Sequence, residues 1–315
     1  MKLKKWDEVR IINISGSFGK YTEEEVLIKK EELESFWLKV TYSKNIMEIN
    51  SEGSSSVKSR IDDLHEAFLD KNVKMVLCTS WWESANQILS GIDYKIIKNN
   101  PKVFMWFSDI TNLNNAIYSI TWMKTFWWPT FSSFWKAWIK ETWEYFEKVL
   151  FWDENVELKP FEFYYDFSSS YPDKELISIK NREGFVFLNE KDFSWELIWW
   201  TINCIVWKIN TPYFDTFNWK IAFLEYFLWS KSEIKSALND LFLSWNFKPK
   251  ALLFWRAMHD SKVTIEDLKE VLLSIPTLKN IPIILNVDFW HTSPQFILPI
   301  WWQIEFTNWK LILKK

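Results

Sequence analysis

The chain has 315 residues, with 38 Lys and Arg against 41 Asp and Glu, a net charge of −3, and 48% hydrophobic residues. Charges of both signs are dispersed, which excludes a basic stripe for nucleic acid. No stretch approaches the ~20 apolar residues of a membrane-spanning helix, and the start of the chain lacks the apolar run of a secretion signal. We therefore expect a cytoplasmic protein of one large or two ordinary domains, with no nucleic-acid or membrane partner.

The first half of the chain alternates strand-like and helix-like segments. Apolar, β-rich runs predict strands, and amphipathic stretches predict helices. The predicted strands cover residues 8–14, 38–42, 73–79 and 102–107, and the predicted helices cover residues 22–36, 58–69, 83–89 and 109–120. Strands that alternate with helices favour an α/β fold with a parallel sheet covered on both faces.

The second half is richer in strand-like runs. Strands are predicted at residues 183–188, 220–225, 250–254 and 282–287, helices at 230–243 and 265–273, and a hairpin at 303–306 and 310–313. A stretch around residues 159–174 contains Pro and Ser and is typical of a crossing between domains. This predicts an N-terminal domain of residues 1–155, a crossing at 156–175, and a β-rich α/β C-terminal domain at 176–315.

Tryptophan stands at positions where glycine is expected. The chain has 24 Trp and only 5 Gly, whereas an average protein has about 7% Gly. Asn218-Trp219 and Asn308-Trp309 separate strand-like runs, where Asn-Gly is the strongest hairpin signal. Trp37 lies between a predicted helix and a predicted strand, where helices place Gly in the left-handed conformation. Further candidates are the helix exits at Trp152 and Trp245 and the turn-like doublets Trp81-Trp82, Trp199-Trp200 and Trp301-Trp302.

We infer that the gene was translated with the wrong table. The codon UGA means Trp in one variant genetic code and Gly in a rarer bacterial one, so most of these positions are predicted to be glycine in the cell. Trp143 is an exception, because it lies on an apolar helical face with residues 139, 146 and 150, and Trp127 stays open. The alternative is a truly Trp-rich protein that binds ligands on aromatic faces without catalysis.

The segment around Ser108 has the layout of a nucleophile elbow. An apolar strand runs into Ser108 and straight on into a helix, and glycine at position 106 would supply the small residue that the sharp turn needs. The helix N-terminus offers backbone N–H groups to a developing oxyanion. The other interpretation is that Ser108 or Asp109 only caps the helix. Ile110 argues against the α/β-hydrolase superfamily, which has a small residue there.

Two further features carry chemistry. With glycine at Trp81 and Trp82, a Gly pair follows a buried strand and lets the backbone approach a ligand, although strand–helix turns also carry such pairs for steric reasons. Glu225 and His291 each follow a predicted strand, at the end where α/β sites form. The remaining histidines are His65, expected on a helix surface, and His259, which has no recognisable partner.

With glycine restored, the chain resembles the LD-carboxypeptidase and microcin C self-immunity family of serine peptidases along nearly its whole length. The matching stretches include Trp106-Phe107-Ser108-Asp109, Phe223-Leu224-Glu225 and Asp288-Phe289-Trp290-His291. The resemblance implies a flavodoxin-like N-terminal domain, a β-rich C-terminal domain, a homodimer, and a reaction that needs no metal or other cofactor.

The resemblance also implies the roles of individual residues. Ser108 is the nucleophile, His291 the general base, and Glu225 the group that orients His291. The oxyanion hole would use the backbone N–H groups of Asp109 and Trp82. Contacts with the substrate are expected from Trp81, Glu83 and Asn86.

The substrate is expected to be a small murein LD-peptide or an aminoacyl-nucleotide-like compound, cleaved at an amide bond. Ser80 stands where murein-recycling members carry Arg, and Thr201 replaces an Asn common in the family. Residues 83–87 are more similar to the self-immunity branch. The resemblance therefore implies a serine-type carboxypeptidase and leaves the substrate open.

The recoding predicts the mass of one peptide from the source cells. The tryptic fragment of residues 103–124 contains Trp106, Trp122 and the candidate nucleophile. Peptide mass spectrometry is expected to find glycine at positions 106 and 122. Tryptophan at both positions would contradict the recoding and favour the aromatic-binding alternative.

Overall fold

The computed structural model describes residues 2–80, 84–135, 139–166, 177–202, 211–214, 218–226, 230–244, 247–257, 261, 263–289 and 292–315, without the side chains of 199–201. Within them the helices are α1 (Glu23–Glu34), α2 (Val57–Leu69), α3 (Tyr94–Asn99), α4 (Thr111–Thr121), α5 (Lys140–Leu150), α6 (Lys231–Leu243) and α7 (Ile265–Ser274). The first strands are β1 (Glu8–Ile12), β2 (Lys39–Tyr42), β3 (Val73–Cys78), β4 (Val103–Trp106), β5 (Thr125–Trp127), β6 (Val156–Leu158), β7 (Phe163–Tyr165) and β8 (Ser178–Lys180). The later strands are β9 (Val186–Leu188), β10 (Phe193–Thr201), β11 (Ile221–Glu225), β12 (Ala251–Trp255), β13 (Ile283–Val287), β14 (Leu298–Ile300), β15 (Gln303–Thr307) and β16 (Lys310–Leu313).

The first sheet has the strand order β14-β5-β4-β3-β1-β2. Its five N-terminal strands are parallel, and their order 2-1-3-4-5 is that of flavodoxin-like folds. Every residue of β1 and β4 is buried, as expected for strands covered on both faces. The predicted flavodoxin-like α/β architecture of the N-terminal half is confirmed.

Local sequence explains where the covering helices begin and which face they bury. The side chain of Thr22 accepts a hydrogen bond from the backbone N–H of Glu25 and so caps α1. In the same way, the side chain of Ser56 accepts the N–H of Ser59 and caps α2. In α2, Leu64, Ala67 and Phe68 are buried at helical spacing, which packs one face of the helix against the sheet.

The second sheet has the order β6-β16-β15-β10-β11-β12-β13-β9. Its centre, β10 to β13, is parallel, and the flanking strands pair antiparallel. The β-rich C-terminal half is thereby confirmed. A separate two-stranded sheet of β7 and β8 is also present in the described residues.

The two large sheets are joined by a strand that returns late in the chain. β14 pairs antiparallel with β5 at the edge of the first sheet, and the next residue, Trp301, donates its backbone N–H to the Leu197 carbonyl of β10 at 2.7 Å. The division at residues 155 and 176 stays a prediction; β14 belongs by sequence to the range 176–315 and by pairing to the first sheet.

Several local expectations are corrected by the structure. Trp199-Trp200 was expected at a turn but lies inside β10, paired in parallel register with Phe223 and Leu224. The short helix expected at 83–89 is a 3-10 helix, Ala85–Gly91. The terminal hairpin is confirmed, with Asn308 and Trp309 both left-handed between β15 and β16, as a type I′ turn requires.

The backbone supports the inference that tryptophan replaces glycine. Among the described residues, eleven other than glycine have positive φ, and seven of these are tryptophans: Trp6, Trp37, Trp122, Trp128, Trp219, Trp301 and Trp309. A bulky residue in this region is a genuine outlier. Trp143, by contrast, lies in α5 and stacks on Phe134 with ring centroids 4.8 Å apart, as expected of a core aromatic residue.

None of the described helices is long and apolar enough to span a bilayer.

Replacing different tryptophans by glycine is predicted to change the free energy of unfolding in opposite directions, according to the backbone angle and the packing at each position. Trp219 is exposed with φ 71°, so Trp219→Gly is expected to raise the free energy of unfolding by about 1 kcal/mol, because glycine has no left-handed penalty. Trp152, also exposed but without a positive φ, is the matched control, and Trp152→Gly should give no gain. Trp143→Gly should cost about 3–5 kcal/mol through the cavity it leaves. Urea unfolding measures all three, and a gain at Trp152 equal to that at Trp219 would contradict the argument.

Candidate active site

Ser108 lies in a sharp left-handed turn at the carboxyl end of β4. The strand is fully buried, Ser108 is half-buried with φ 59°, and the 3-10 helix Ser108–Ile110 leads directly into α4. The Thr111 hydroxyl donates a hydrogen bond to the Ser108 carbonyl. A residue with a Cβ in this conformation costs about 1–3 kcal/mol and is found mainly at functional sites. The geometry is that of a nucleophile elbow.

The capping interpretation of Ser108 and Asp109 fits the structure less well. The residues that precede the 3-10 helix and α4 are Phe107 and Ile110, and neither position shows a side-chain capping bond. Asp109 instead accepts hydrogen bonds from the Ser15 hydroxyl at 2.6 Å and from the Ala85 backbone N–H at 3.0 Å. The Asp109 carboxylate therefore connects the turn to the segments that follow β1 and β3.

The second predicted segment is described only at its flanks. Trp81, Trp82 and Glu83 lie outside the described residues. Ser80 is buried after β3, and its carbonyl accepts the Gly16 N–H at 3.3 Å. On the other side, Asn86 is exposed in the 3-10 helix Ala85–Gly91.

Glu225 is the last residue of β11 and is fully buried. It pairs in register with Thr201 at the end of β10, so it lies at the carboxyl edge of the parallel part of the second sheet. A carboxylate without exposure to water is retained only where polar groups interact with it.

His291 lies outside the described residues, but its neighbours on both sides are described. Phe289 and Thr292 are both fully buried. The backbone of Ser293 exchanges two hydrogen bonds with that of Tyr165, at 2.7 and 2.9 Å. The segment that carries His291 is thus anchored immediately before and after it.

A chain of aromatic contacts brings the three segments near one another. Phe107 lies 4.9 Å from Trp127 between ring centroids, and Trp127 lies 6.5 Å from Phe223. Phe223 lies 5.1 Å from Phe289. Phe107 comes one residue before Ser108. Phe223 and Phe289 come two residues before Glu225 and His291, respectively. The contacts run from the first sheet to the second, so Phe107, Phe223 and Phe289, which precede the three predicted positions, belong to one packed cluster.

A buried ion pair stabilises the segment after β13, and sequence reasoning did not assign it a role. Arg256 donates to the Asp288 carboxylate through Nε at 3.2 Å and through Nη2, and to Asn286 Oδ1 at 3.0 Å. Burial raises the pKa of Asp288, and the neighbouring guanidinium opposes that rise. Asp288 also accepts the Phe161 N–H at 3.1 Å. Asp288 belongs to a family motif, whereas no signal in the sequence singled out Arg256.

A cavity of about 540 Å³ lies at the carboxyl ends of β12 and β13. Its lining includes Lys180, Arg182, Arg256 and one acidic residue, Glu183. Neither Ser108 nor Glu225 is in the lining, so the cavity is distinct from the predicted site of bond cleavage. Its wall also contains Trp255, whose ring centroid is 6.1 Å from that of Tyr226, the residue after Glu225.

Among the described residues, no three His, Cys, Asp or Glu side chains are grouped so that they could hold a metal ion. His259 and His291 lie outside the described residues.

Comparison with known proteins shows that the chain is a peptidase-like hydrolase with an α/β fold. A family model described as "LD-carboxypeptidase N-terminal domain" matches residues 9–127, and one described as "LD-carboxypeptidase C-terminal domain" matches residues 201–306. The chain belongs to this family, the S66 peptidases. The resemblance inferred from the sequence is confirmed.

Individual relatives agree with this assignment. YocD of Bacillus subtilis (strain 168), named as a carboxypeptidase, is 33% identical over 95% of this chain and 93% of its own length. A MccF-like protein from Bacillus anthracis str. Ames has a TM-score of 0.94 at 34% identity, covering 100% of this chain and 98% of that chain. MccF in complex with glutamyl sulfamoyl guanosine has a TM-score of 0.88 at 21% identity, covering 100% and 97%, which shows a shared fold. The family assignment does not favour the aromatic-binding alternative.

The strained turn predicts a gain in stability when Ser108 is replaced by glycine. Ser108→Gly is expected to raise the free energy of unfolding by about 1 kcal/mol, because glycine adopts φ 59° without strain. Ser108→Ala keeps the strain and serves as the control, with a stability close to that of the parent. Chemical unfolding of both variants measures the difference. Equal stability of the Gly and Ala variants would show that the turn is unstrained.

Proposed function

We propose that the chain is a serine hydrolase that cleaves an amide-type acyl–nitrogen bond with Ser108, His291 and Glu225. The observation that carries the proposal is the left-handed turn at Ser108, at the carboxyl edge of β4. Such a turn presents the serine hydroxyl beside the N–H groups of the following helix, where a nucleophile and an oxyanion site are needed together.

The proposed reaction proceeds through an acyl-enzyme. His291 takes the proton from Ser108 as the Ser108 oxygen attacks the carbonyl carbon, and the backbone N–H groups of Asp109 and Trp82 stabilise the oxyanion. His291 then passes the proton to the leaving nitrogen, and the C–N bond breaks. Water, deprotonated by His291, hydrolyses the acyl-enzyme and regenerates Ser108.

Glu225 is proposed to orient His291 and to stabilise its protonated form. Full burial of Glu225 at the end of β11 supports this role, because a carboxylate in a dry environment interacts strongly with a neighbouring imidazolium. The aromatic contacts from Phe107 through Trp127 and Phe223 to Phe289 also support it, since they connect the segments that carry the three residues.

The proposed substrate class is a small aminoacyl-nucleotide-like compound with an acidic acyl group. Ser80 in place of the Arg of murein-recycling members favours this class over an LD-peptide. Neighbours in fold are MccF bound to glutamyl sulfamoyl guanosine and to aspartyl sulfamoyl adenosine. A cytoplasmic homodimer is part of the same proposal, as the family resemblance implies.

Labelling with a fluorophosphonate tests the catalytic part of the proposal. The probe is applied to the glycine-restored chain, in which each UGA codon is read as glycine. Labelling is expected at Ser108, located by peptide mass spectrometry, and lost in Ser108→Ala. Glu225→Gln is expected to slow labelling by up to about 10⁴-fold, as for the equivalent change in a Ser-His-Asp triad.

The controls separate loss of catalysis from loss of folding. Ser133→Ala removes another buried hydroxyl of the N-terminal half and should leave labelling unchanged. Circular dichroism establishes that each variant is folded. A folded glycine-restored chain that shows no labelling at Ser108 would refute the serine-hydrolase proposal.

A substrate comparison tests the proposed class. The glycine-restored chain is incubated with glutamyl sulfamoyl guanosine and, separately, with a murein tetrapeptide, and the products are followed by chromatography. Glutamate is expected to be released from glutamyl sulfamoyl guanosine, with a kcat/KM higher than that for the tetrapeptide. Cleavage of the tetrapeptide alone would instead assign the murein-recycling activity.

A further inference from the structure

The proposed oxyanion hole draws its two donors from different strands. One donor, the N–H of Asp109, follows β4, and the other, the N–H at position 82, follows β3. Donors must lie about 2.7–3.1 Å from the oxyanion to be effective. The segment after β3 and the turn after β4 must therefore be held in a fixed relation to each other.

The side chain of Asp109 links these two segments. A single oxygen, Oδ2, accepts the Ala85 N–H at 3.0 Å and the Ser15 hydroxyl at 2.6 Å. Ala85 begins the 3-10 helix that follows β3, and its preceding residue, Ser84, provides no side-chain cap. Asp109, which follows β4, thus accepts the N–H at the start of this 3-10 helix, as the side chain of a capping residue next to the helix would do.

A buried arginine completes the network from the other side. Ser84 lies between the two charges: its N–H donates to Ser15 Oγ at 3.3 Å, and Arg60 Nη1 donates to its carbonyl at 2.9 Å and to its hydroxyl at 3.1 Å. Arg60 is 1% exposed, and Nη2 donates to Gln87 at 2.6 Å. Burial lowers the pKa of Arg60, and the negative charge of Asp109 opposes that shift.

We propose that Asp109 is a positioning residue whose carboxylate holds the two oxyanion-hole segments in register, an inference that rests on the proposed function. The carboxylate bonds the segment after β3 at Ala85 and the segment after β1 at Ser15, while the backbone N–H of the same residue serves the oxyanion. Charge-assisted bonds of this kind are shorter and stronger than neutral ones, so the negative charge is part of the function.

The test compares Asp109→Asn with the same change at another hydrogen-bonded carboxylate of the N-terminal half. The fluorophosphonate reaction of the glycine-restored chain is resolved into the maximal rate constant kinact and the half-saturating concentration KI. Asp109→Asn is expected to lower kinact by about 10- to 100-fold, because displaced donors stabilise the transition state less, and to leave KI within about two-fold. Asp63→Asn is the control, because Asp63 is another carboxylate of the N-terminal half, buried more deeply than Asp109, and it accepts hydrogen bonds from Ser43 and Asn45, away from the predicted site.

A second variant makes the result independent of how Asp109→Asn folds. Ser15→Ala removes one hydroxyl that donates to Asp109 and leaves the charge in place, so a smaller drop in kinact, about 3- to 10-fold, is expected at unchanged KI. If Asp109→Asn does not fold, Ser15→Ala decides the question by the same measure.

The outcomes distinguish this inference from the proposed function. An unlabelled parent chain would refute the serine-hydrolase proposal itself. A labelled parent together with unchanged kinact in Asp109→Asn and Ser15→Ala would overturn the positioning role alone. An equal fall of kinact in Asp63→Asn would also overturn it, because the effect would then follow from the loss of any hydrogen-bonded carboxylate in this half of the chain.

Discussion

The left-handed backbone at Ser108 is the constraint on which the rest of the site depends. It costs about 1–3 kcal/mol, and the turn itself offers no capping bond to offset that cost. The offset comes from both flanks. On one side β4 is buried between β3 and β5, and on the other Asp109 is bonded to Ser15 and Ala85. The candidate nucleophile is therefore fixed to the sheet, which gives more precise placement than a free loop.

The candidate base is held by a different arrangement. The segment between β13 and β14 is tied to the second sheet at its start, where Asp288 pairs with Arg256, and to the first sheet at its end, where β14 pairs with β5. Breaking the buried pair would leave an uncompensated charge, which is strongly destabilising. Because one segment is anchored to both sheets, packing of the sheets and assembly of the proposed triad are coupled.

The sequence predicted the sheet better than the contacts of the site. Apolar runs such as β3 and β4, followed by amphipathic helices, are strong local signals, and they gave the parallel sheet. The turn at Trp199-Trp200 was wrong, because a buried parallel strand and a glycine-like doublet carry opposite signals and the pairing with β11 decided between them. The role of Asp109 was not predictable, since its partners Ser15 and Ala85 are 94 and 24 residues away. Contacts between residues so far apart in sequence are set by the topology of the fold, and they leave no periodic pattern in the sequence.

Some of the tryptophans with glycine-like backbone angles lie close to the candidate nucleophile. Trp128, at φ 55°, lies 4.8 Å from Phe107 beside the candidate nucleophile, and Trp301, at φ 67°, is buried against Tyr118. A relative that is 33% identical matches nearly the whole chain, and a solved structure that is 34% identical shares its fold, so the backbone is that of the family. The dihedral criterion identifies positions where glycine is required by φ. It is silent at Trp106, the last residue of β4, whose indole is fully buried and lies 5.4 Å from that of Trp127 between ring centroids. At that position the expectation of glycine rests on the small residue that a sharp strand-to-helix turn needs two positions before its serine.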